Sequence, residues 1–332
     1  MNAKLEIIIT HYNEPWAVCS KLFKMLDVQR GVGQGEARVT IIQDGSEGAL
    51  DTAKLMKQYP FVTRVIEIPH GGVSAARNAG IDEAEAEWIL FMDCDDMLYA
   101  CDSLRTMLDA IEDEKGRADL IWGQMMIENR TKSGVWISQE GQKNNVFVHG
   151  KAWRLSWLKE KGIRFREELR YSEDSLFCEE AALELDPKRI GRAPKPVVMW
   201  CMRENSCTTD KENERRNRRD MLRHRIMLPE ICRQRGKEED AMTTAARGIM
   251  DCFHELTGGT ITGSEKTETE RKATEELIRP WGFALWEIEP EDYEQLRKVS
   301  RQATINKRMM AKDADPGEIG AWLRKIKDTY GE

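Results

Sequence analysis

The first hundred or so residues switch repeatedly between strand-type and helix-type hydrophobic spacing, and few folds tolerate that alternation. Leu5–Thr10 is a short apolar run of strand type, and after Pro15 the residues Ala17, Leu22, Phe23 and Leu26 are spaced as on a helix. Ala37–Gln43 reads as a strand, Leu50–Gln58 as a helix, Val62–Ile68 as a strand, Ser74–Glu85 as a helix and Trp88–Met92 as a strand. Strands that alternate with helices build a mostly parallel central sheet covered on both faces, so the expected class is α/β. Ligands of such sheets bind beyond the carboxyl ends of the strands. Here those ends are polar: Thr10-His11-Tyr12-Asn13-Glu14, Gln43-Asp44-Gly45-Ser46 and Asp93-Cys94-Asp95-Asp96.

The bulk properties narrow the class further. A chain of 332 residues with 40% hydrophobic content can bury a sizeable core. A net charge of -7 argues against a general nucleic-acid binder. The longest apolar run, Val197–Met202, is far short of the roughly 20 residues that cross a bilayer. Met1-Asn2-Ala3-Lys4 leads straight into the first strand with no long apolar leader. The eight cysteines are scattered without a Cys-x-x-Cys pair, so zinc spacings are excluded and reduced thiols are the simpler expectation. The expected location is therefore the cytoplasm, with the inner face of the membrane as a further option.

The acidic cluster is the strongest chemical feature. An apolar strand delivers Asp93, Asp95 and Asp96 into one short loop, where like charges repel unless a cation joins them. Mg2+ and Mn2+ take hard oxygen ligands and commonly bridge carboxylates to substrate phosphates. An isolated Asp-x-Asp is more often a turn capping the next helix, here around Ser103–Ile111. At the end of a buried strand in an α/β pattern, metal binding is the better reading.

Several ordered motifs then resemble the family-2 glycosyltransferases. Ile7–Glu14 looks like that family's first strand and nucleotide-binding turn, and Ile42-Gln43-Asp44-Gly45-Ser46 resembles its Asp-Asp-Gly-Ser turn. Gly72–Gly80 resembles its Gly-x-Ser-x-Ala-Arg-Asn-x-Gly segment, Asp93–Asp96 its Asp-x-Asp-Asp metal motif and Ser172–Phe177 its Glu-Asp segment. One position departs: Gln43 stands where the second motif usually begins with Asp. The resemblance spans about residues 5–206 and implies a GT-A-type domain over 1–206, with a mainly helical region over 207–332.

The resemblance also implies roles. Thr10, Tyr12, Asn13, Glu14 and Asp44 would surround the nucleotide, with Arg77 near its phosphates and Asp93 and Cys94 completing the donor site. Asp95 would be the principal metal ligand, supported by Asp93, and the metal would be Mn2+ or Mg2+. The donor would be a UDP-sugar and the acceptor a hydroxyl of a glycan or a lipid-linked molecule. Asp174 would be the base of an inverting transfer. Its local sequence fits a helix-capping carboxylate equally well. His149, Trp153, Glu173 and Arg203 are candidates for contact with acceptor or diphosphate, His149 preceding a helix expected at Ala152–Leu155. Trp153, Trp157 and Trp200 could stack on sugar rings, although most tryptophans belong to cores.

Beyond about 205 the character changes. Lys211–Asp220 is almost all charge, best read as a solvated helix face and alternatively as a surface for lipid headgroups or a phosphorylated acceptor. Helices are expected from Pro290 and from Pro316, with a Gly/Thr-rich loop at Thr257–Ser264. This region could complete the acceptor site, form a dimer or dock peripherally on a membrane. Two rivals stand beside the transferase reading. A nucleotidyltransferase would need a Gly-rich phosphate loop after the first strand, which Thr10–Glu14 is not. A non-catalytic nucleotide-sugar-binding protein would not need Asp93, Asp95 and Asp174.

Overall fold

A computed structural model describes residues 3–47, 50–130, 136–140, 147–201, 213–241, 243–245 and 248. The chain divides into two compact units, 1–213 and 214–332. The first unit carries, in chain order, β1 (Leu5–His11), α1 (Trp16–Asp27), β2 (Ala37–Asp44), α2 (Thr52–Gln58), β3 (Val62–Ile68), α3 (Val73–Glu83), β4 (Trp88–Asp93) and β5 (Met97–Leu98). There follow α4 (Ser103–Asp113), β6 (Leu120–Arg130), β7 (Trp136–Glu140), β8 (Lys151–Arg154), α5 (Leu155–Lys161), α6 (Glu173–Glu184), a short 3-10 turn at Pro187–Arg189 and β9 (Ile190–Trp200).

All strands join one sheet in the order β3-β2-β1-β4-β8-β6-β9-β5, with β7 beside β6. The half built from β3, β2, β1 and β4 is parallel throughout. Beyond β4 the sheet is mixed: β8 is antiparallel to both β4 and β6, while β6 and β9 run parallel. The class is α/β, as the alternation predicts.

Period-two alternation places the core on both faces of the sheet. Ile7 and Ile9 of β1 and Leu90 and Met92 of β4 pack with Cys19, Leu22, Phe23 and Leu26 of α1. Ile8, Ile89 and Phe91 turn the other way, onto Ala76 and Ile81 of α3, Trp157 of α5 and Phe177 of α6. The register on α3 depends on Gly80, where an added Cβ would sit 2.3 Å from Ile8 Cγ2. Gly80→Ala is therefore expected to cost about 1–3 kcal/mol through overpacking, read as a lower denaturant midpoint. An unchanged midpoint would show that α3 can shift freely.

The expected helix at Ala152–Leu155 is instead strand β8, and α5 begins only at Leu155. Ala152 and Trp153 fill the gap between β4 and β6, so ladder bonds on both sides override the local pattern.

In the second unit α7 (Glu214–Gln234) carries the charged stretch. Its Asn217, Asp220 and His224 are buried, so this face is not wholly solvated. The expected Gly/Thr-rich loop and the helices from Pro290 and Pro316 lie outside the described residues. No helix among the described residues is long and apolar enough to cross a membrane.

Candidate active site

The carboxyl ends of the parallel strands converge on two groups of polar side chains. The first lies over β1, β2 and β3. Asp44 ends β2 and is buried, and its carboxylate accepts from Gly71 N (2.7 Å), Gly72 N (2.9 Å) and His70 Nδ1 (3.0 Å). It thereby fixes the turn that starts α3. Gly45 has φ +62, and a Cβ there would lie 2.7 Å from His70 N, so only glycine lets the two turns touch. The His70 ring stacks on Tyr12, with centroids 4.2 Å apart and planes 17° from parallel. Tyr12 is 44% exposed.

The loop after β1 is braced from within. The buried His11 places Nε2 3.0 Å from the Glu14 carbonyl and Nδ1 3.2 Å from Ser46 Oγ. Tyr12 N donates to the Glu14 carboxylate (2.6 Å), and Asn13, at φ +60, donates its N–H to Ser46 Oγ (3.1 Å). Asn13 and Glu14 thus shape the loop that presents Tyr12.

The second group surrounds Asp93 at the end of β4. Arg77 donates through one nitrogen to both Asp93 oxygens (2.9 and 3.1 Å), and Thr10 Oγ1 donates to the same carboxylate (3.0 Å). His149 Nε2 lies 3.3 Å from Asp93 and 3.1 Å from Asp96 Oδ2. Asp96 Oδ1 accepts from Cys201 N (3.0 Å). Burial opposes charge on all three groups, but Arg77 and His149 hold Asp93 far below the usual carboxylate range. Burial opposes charge on His149 too, yet its bonds to Asp93 and Asp96 push it up to about 10. Burial also raises Asp96, against the pull of His149.

The third part is the start of α6. Its first residue follows Ser172, a non-glycine at φ +66. Helix α3 holds this segment by side chains from two successive turns. Ser74 Oγ donates to the Leu169 carbonyl (3.2 Å), and Asn78 exchanges two hydrogen bonds with the Phe165 backbone (both 2.9 Å). Arg77 turns its other terminal nitrogen to Glu173 (2.8 Å). One guanidinium therefore ties the acidic loop to the first turn of α6. Burial and the neighbouring Asp174 push Glu173 up to about 7 despite Arg77. Burial likewise raises Asp174, against Arg77 and His149. Asp174 stands one residue inside α6, where its Oδ1 accepts from Ser175 N (2.7 Å).

Arg77, expected near the nucleotide or its phosphates, is buried and pairs with two carboxylates. Trp153 is buried between Trp157 and Phe177, so its ring serves the core rather than a sugar face. Cys94 is buried beneath the acidic loop, and Asp95 is half-buried in it. Trp200 packs against Phe147, with centroids 5.9 Å apart. Arg203 lies outside the described residues. Sequence reasoning missed His70 and gave Asp96 no individual role. A histidine directly before the Gly71-Gly72 turn was the available signal for the first.

A family model described as "Glycosyl transferase family 2" matches residues 6–171. The chain is 26% identical over 155 residues to the poly(ribitol-phosphate) beta-N-acetylglucosaminyltransferase TarP of Staphylococcus aureus strain N315, covering 41% of this chain and 45% of that protein. It is 22% identical over 160 residues to the minor teichoic acid biosynthesis protein GgaB of Bacillus subtilis strain 168, covering 45% of this chain and 18% of that one. It thus spans less than half the length of these curated relatives. The fold is shared with S. aureus TarS 1-349 in complex with UDP-GlcNAc, at TM-score 0.64 and 18% identity over 98% of this chain and 91% of that one. It is shared more loosely with the mannosyltransferase PcManGT of Pyrobaculum calidifontis, solved with GDP-Man and Mn2+, at TM-score 0.52 and 12% identity over 100% and 88% of the two chains. With half of its length matched by the family model and the motif carboxylates gathered at the sheet's carboxyl edge, the chain belongs to glycosyl transferase family 2.

Proposed function

We propose that this chain transfers a sugar, with inversion, from a UDP-sugar to a hydroxyl of a glycan or lipid-linked acceptor on the cytoplasmic side. The observation that carries this reading is the Arg77 bridge, which joins Asp93 of the acidic loop to Glu173 beside Asp174. The acidic loop and the start of α6 are thereby parts of one partly buried network. In the reaction, an Asp174 oxygen takes the proton of the acceptor hydroxyl, the hydroxyl oxygen attacks the anomeric carbon, and the bond to the diphosphate breaks on the opposite face. Thr10, Tyr12 and Asp44 line the nucleotide side. The names of the curated relatives make polyol-phosphate polymers the acceptors to try first.

The residues present fit a divalent ion. Asp93, Asp96 and His149 offer two carboxylate oxygens and one imidazole nitrogen within 4.8 Å of one another, with Asp95 in the same turn. Asp96 Oδ2 is buried and lies 3.1 Å from His149 Nε2. Oxygen and imidazole donors suit Mn2+ or Mg2+ once His149 is neutral. When bound, such an ion offsets the charge that develops on the departing diphosphate.

The test is turnover of a panel of UDP-sugars with Mn2+ or Mg2+ and polyol-phosphate acceptors, followed against pH. Proton acceptance requires an ionised carboxylate, and Glu173 and Asp174 titrate as a pair. Because burial raises Asp174 above the ordinary carboxylate range, kcat is expected to fall on the acid side as Asp174 takes up a proton. The upward shift of Glu173 has a stability sign. A carboxyl whose folded pKa is raised stabilises the fold while protonated, and that contribution fades from the ordinary value of 4.5 up to about 7. Absence of transfer from every UDP-sugar would overturn the proposed reaction. A kcat profile that stays flat on the acid side down to the ordinary carboxylate range would remove the Glu173–Asp174 pair from it.

A further inference from the structure

We propose that Arg192, held over the Trp122 ring, is an acceptor subsite that takes a phosphodiester of a polyol-phosphate chain. This inference rests on the transferase reading above and names the group that would recognise its acceptor. Strands β8, β6 and β9 lie side by side, and their register sets Lys151 and Arg192 on either side of Trp122. The row two residues deeper, Trp153, Leu120 and Ile190, packs with Phe177 and Cys178 of α6. Period-two alternation therefore turns Lys151, Trp122 and Arg192 to the α6 face as well. Exposure rises across this row: Lys151 is buried, Trp122 half-buried and Arg192 exposed.

The buried end of the row adjoins the reacting centre. Lys151 follows His149 by two residues, and Cys178, whose thiol burial pushes up to about 12, feels the charges of Lys151 and Asp174 together. Arg192 stands two strand spacings from Lys151, about 10 Å. An acceptor whose hydroxyl reaches Asp174 can therefore lay its next units along this row. The row is also cationic. Lys151 Nζ lies 5.2 Å and Arg192 Cζ 5.1 Å from the centre of the Trp122 ring. Arg154 and Arg189, at the ends of the same strands, both pair with Asp119. Arg192 has no hydrogen bond or ion pair among the described residues. A guanidinium docked on an indole keeps its N–H edge free, and that edge matches two oxygens of a phosphodiester. The part of the Trp122 ring that faces solvent suits the C–H groups of a polyol backbone. Adjacent groups thus read phosphate and carbon chain, an arrangement that a neutral glycan would satisfy only in part. Trp122 acts here as a positioning residue, fixing where the guanidinium sits.

Calorimetric titration of the full chain tests the assignment, first with UDP and Mn2+ and then with a ribitol-phosphate oligomer at saturating UDP. The chains compared are the wild type, Arg192→Gln, Arg192→Lys and Trp122→Leu. Arg192→Gln is expected to bind the oligomer about tenfold more weakly, the scale of one charge-assisted contact, and with a shallower salt dependence. Arg192→Lys keeps the charge but not the planar fork, so its affinity should fall between the two. Trp122→Leu removes the platform and leaves the charge, so affinity should drop about threefold while the salt dependence stays that of the wild type. UDP affinity should stay within about twofold throughout. An Arg192→Gln chain with wild-type affinity and salt dependence overturns the subsite, and so does one whose UDP affinity falls in parallel. A wild type that binds UDP but not the oligomer also overturns it and leaves the donor reading intact. A wild type that passes over the oligomer yet is retained by phosphatidylglycerol vesicles assigns the charge to a membrane and overturns it likewise. A wild type that binds neither UDP nor the oligomer overturns both readings.

Discussion

Replacing Asp174 by asparagine is expected to lower kcat by about a thousandfold while UDP affinity stays within about twofold of the wild type, the range attributed to loss of a positioned general base. The amide has the shape of the carboxylate and can still accept the Ser175 N–H, so the start of α6 should keep its geometry. What it lacks is basicity. Retained affinity with lost turnover separates this outcome from misfolding or from damage to the donor site. Steady-state transfer and calorimetry with UDP read the two quantities. A variant that keeps more than about one-tenth of the wild-type rate would exclude Asp174 as the base.

The second large effect is expected at Arg77. Methionine there keeps most of the side-chain length but removes the positive charge shared by Asp93 and Glu173. Removing one partner of a buried ion pair typically costs about 3–5 kcal/mol, because a charge is left without compensation. The two stranded carboxylates should respond differently. Glu173 is already raised to about 7 and can take up a proton, whereas Asp93 is held strongly acidic and would keep only Thr10 and His149. Adding Glu173→Gln to Arg77→Met should therefore recover part of the loss, which a double-mutant cycle in denaturant measures. Lysine should not substitute, since a single ammonium cannot reproduce a planar fork aimed at two carboxylates. A loss below about 1 kcal/mol in the single variant would show that Arg77 is not the strut described above.

These two residues also show how much of the molecule was legible in the sequence. The parallel half of the sheet was, because β1 to β4 and the helices between them carry strong local periodicity. The acidic loop and the Glu-Asp pair were, because each is a compact run of reactive residues. Arg77 was visible as a motif member, but its partners lie 16 and 96 positions away, and only folding shows that it bridges them. Strand β8 was misread because four residues fix neither period, and pairing on two sides decided their conformation. Trp153 carried the same ambiguity: a tryptophan on a strand faces either core or solvent according to neighbours that local sequence does not name. His70 was missed because Pro-His-Gly-Gly reads as an ordinary turn until Asp44 and Tyr12 are placed around it.

The way helix α3 grips the start of α6 has a consequence for how such an enzyme can diversify. Ser74, Arg77 and Asn78 fix the backbone at Leu169 and Phe165 and the side chain of Glu173, and all three precede the whole stretch from β4 to β8. The start of α6 and the segment leading into it are thus registered against an upstream element. Insertions, deletions and drift along the β6–β7 hairpin can accumulate without resetting the distance between Asp174 and the acidic loop. A lineage built on this plan inherits the Asp93–Arg77–Glu173 network as a fixed module and is free to vary the segments around it.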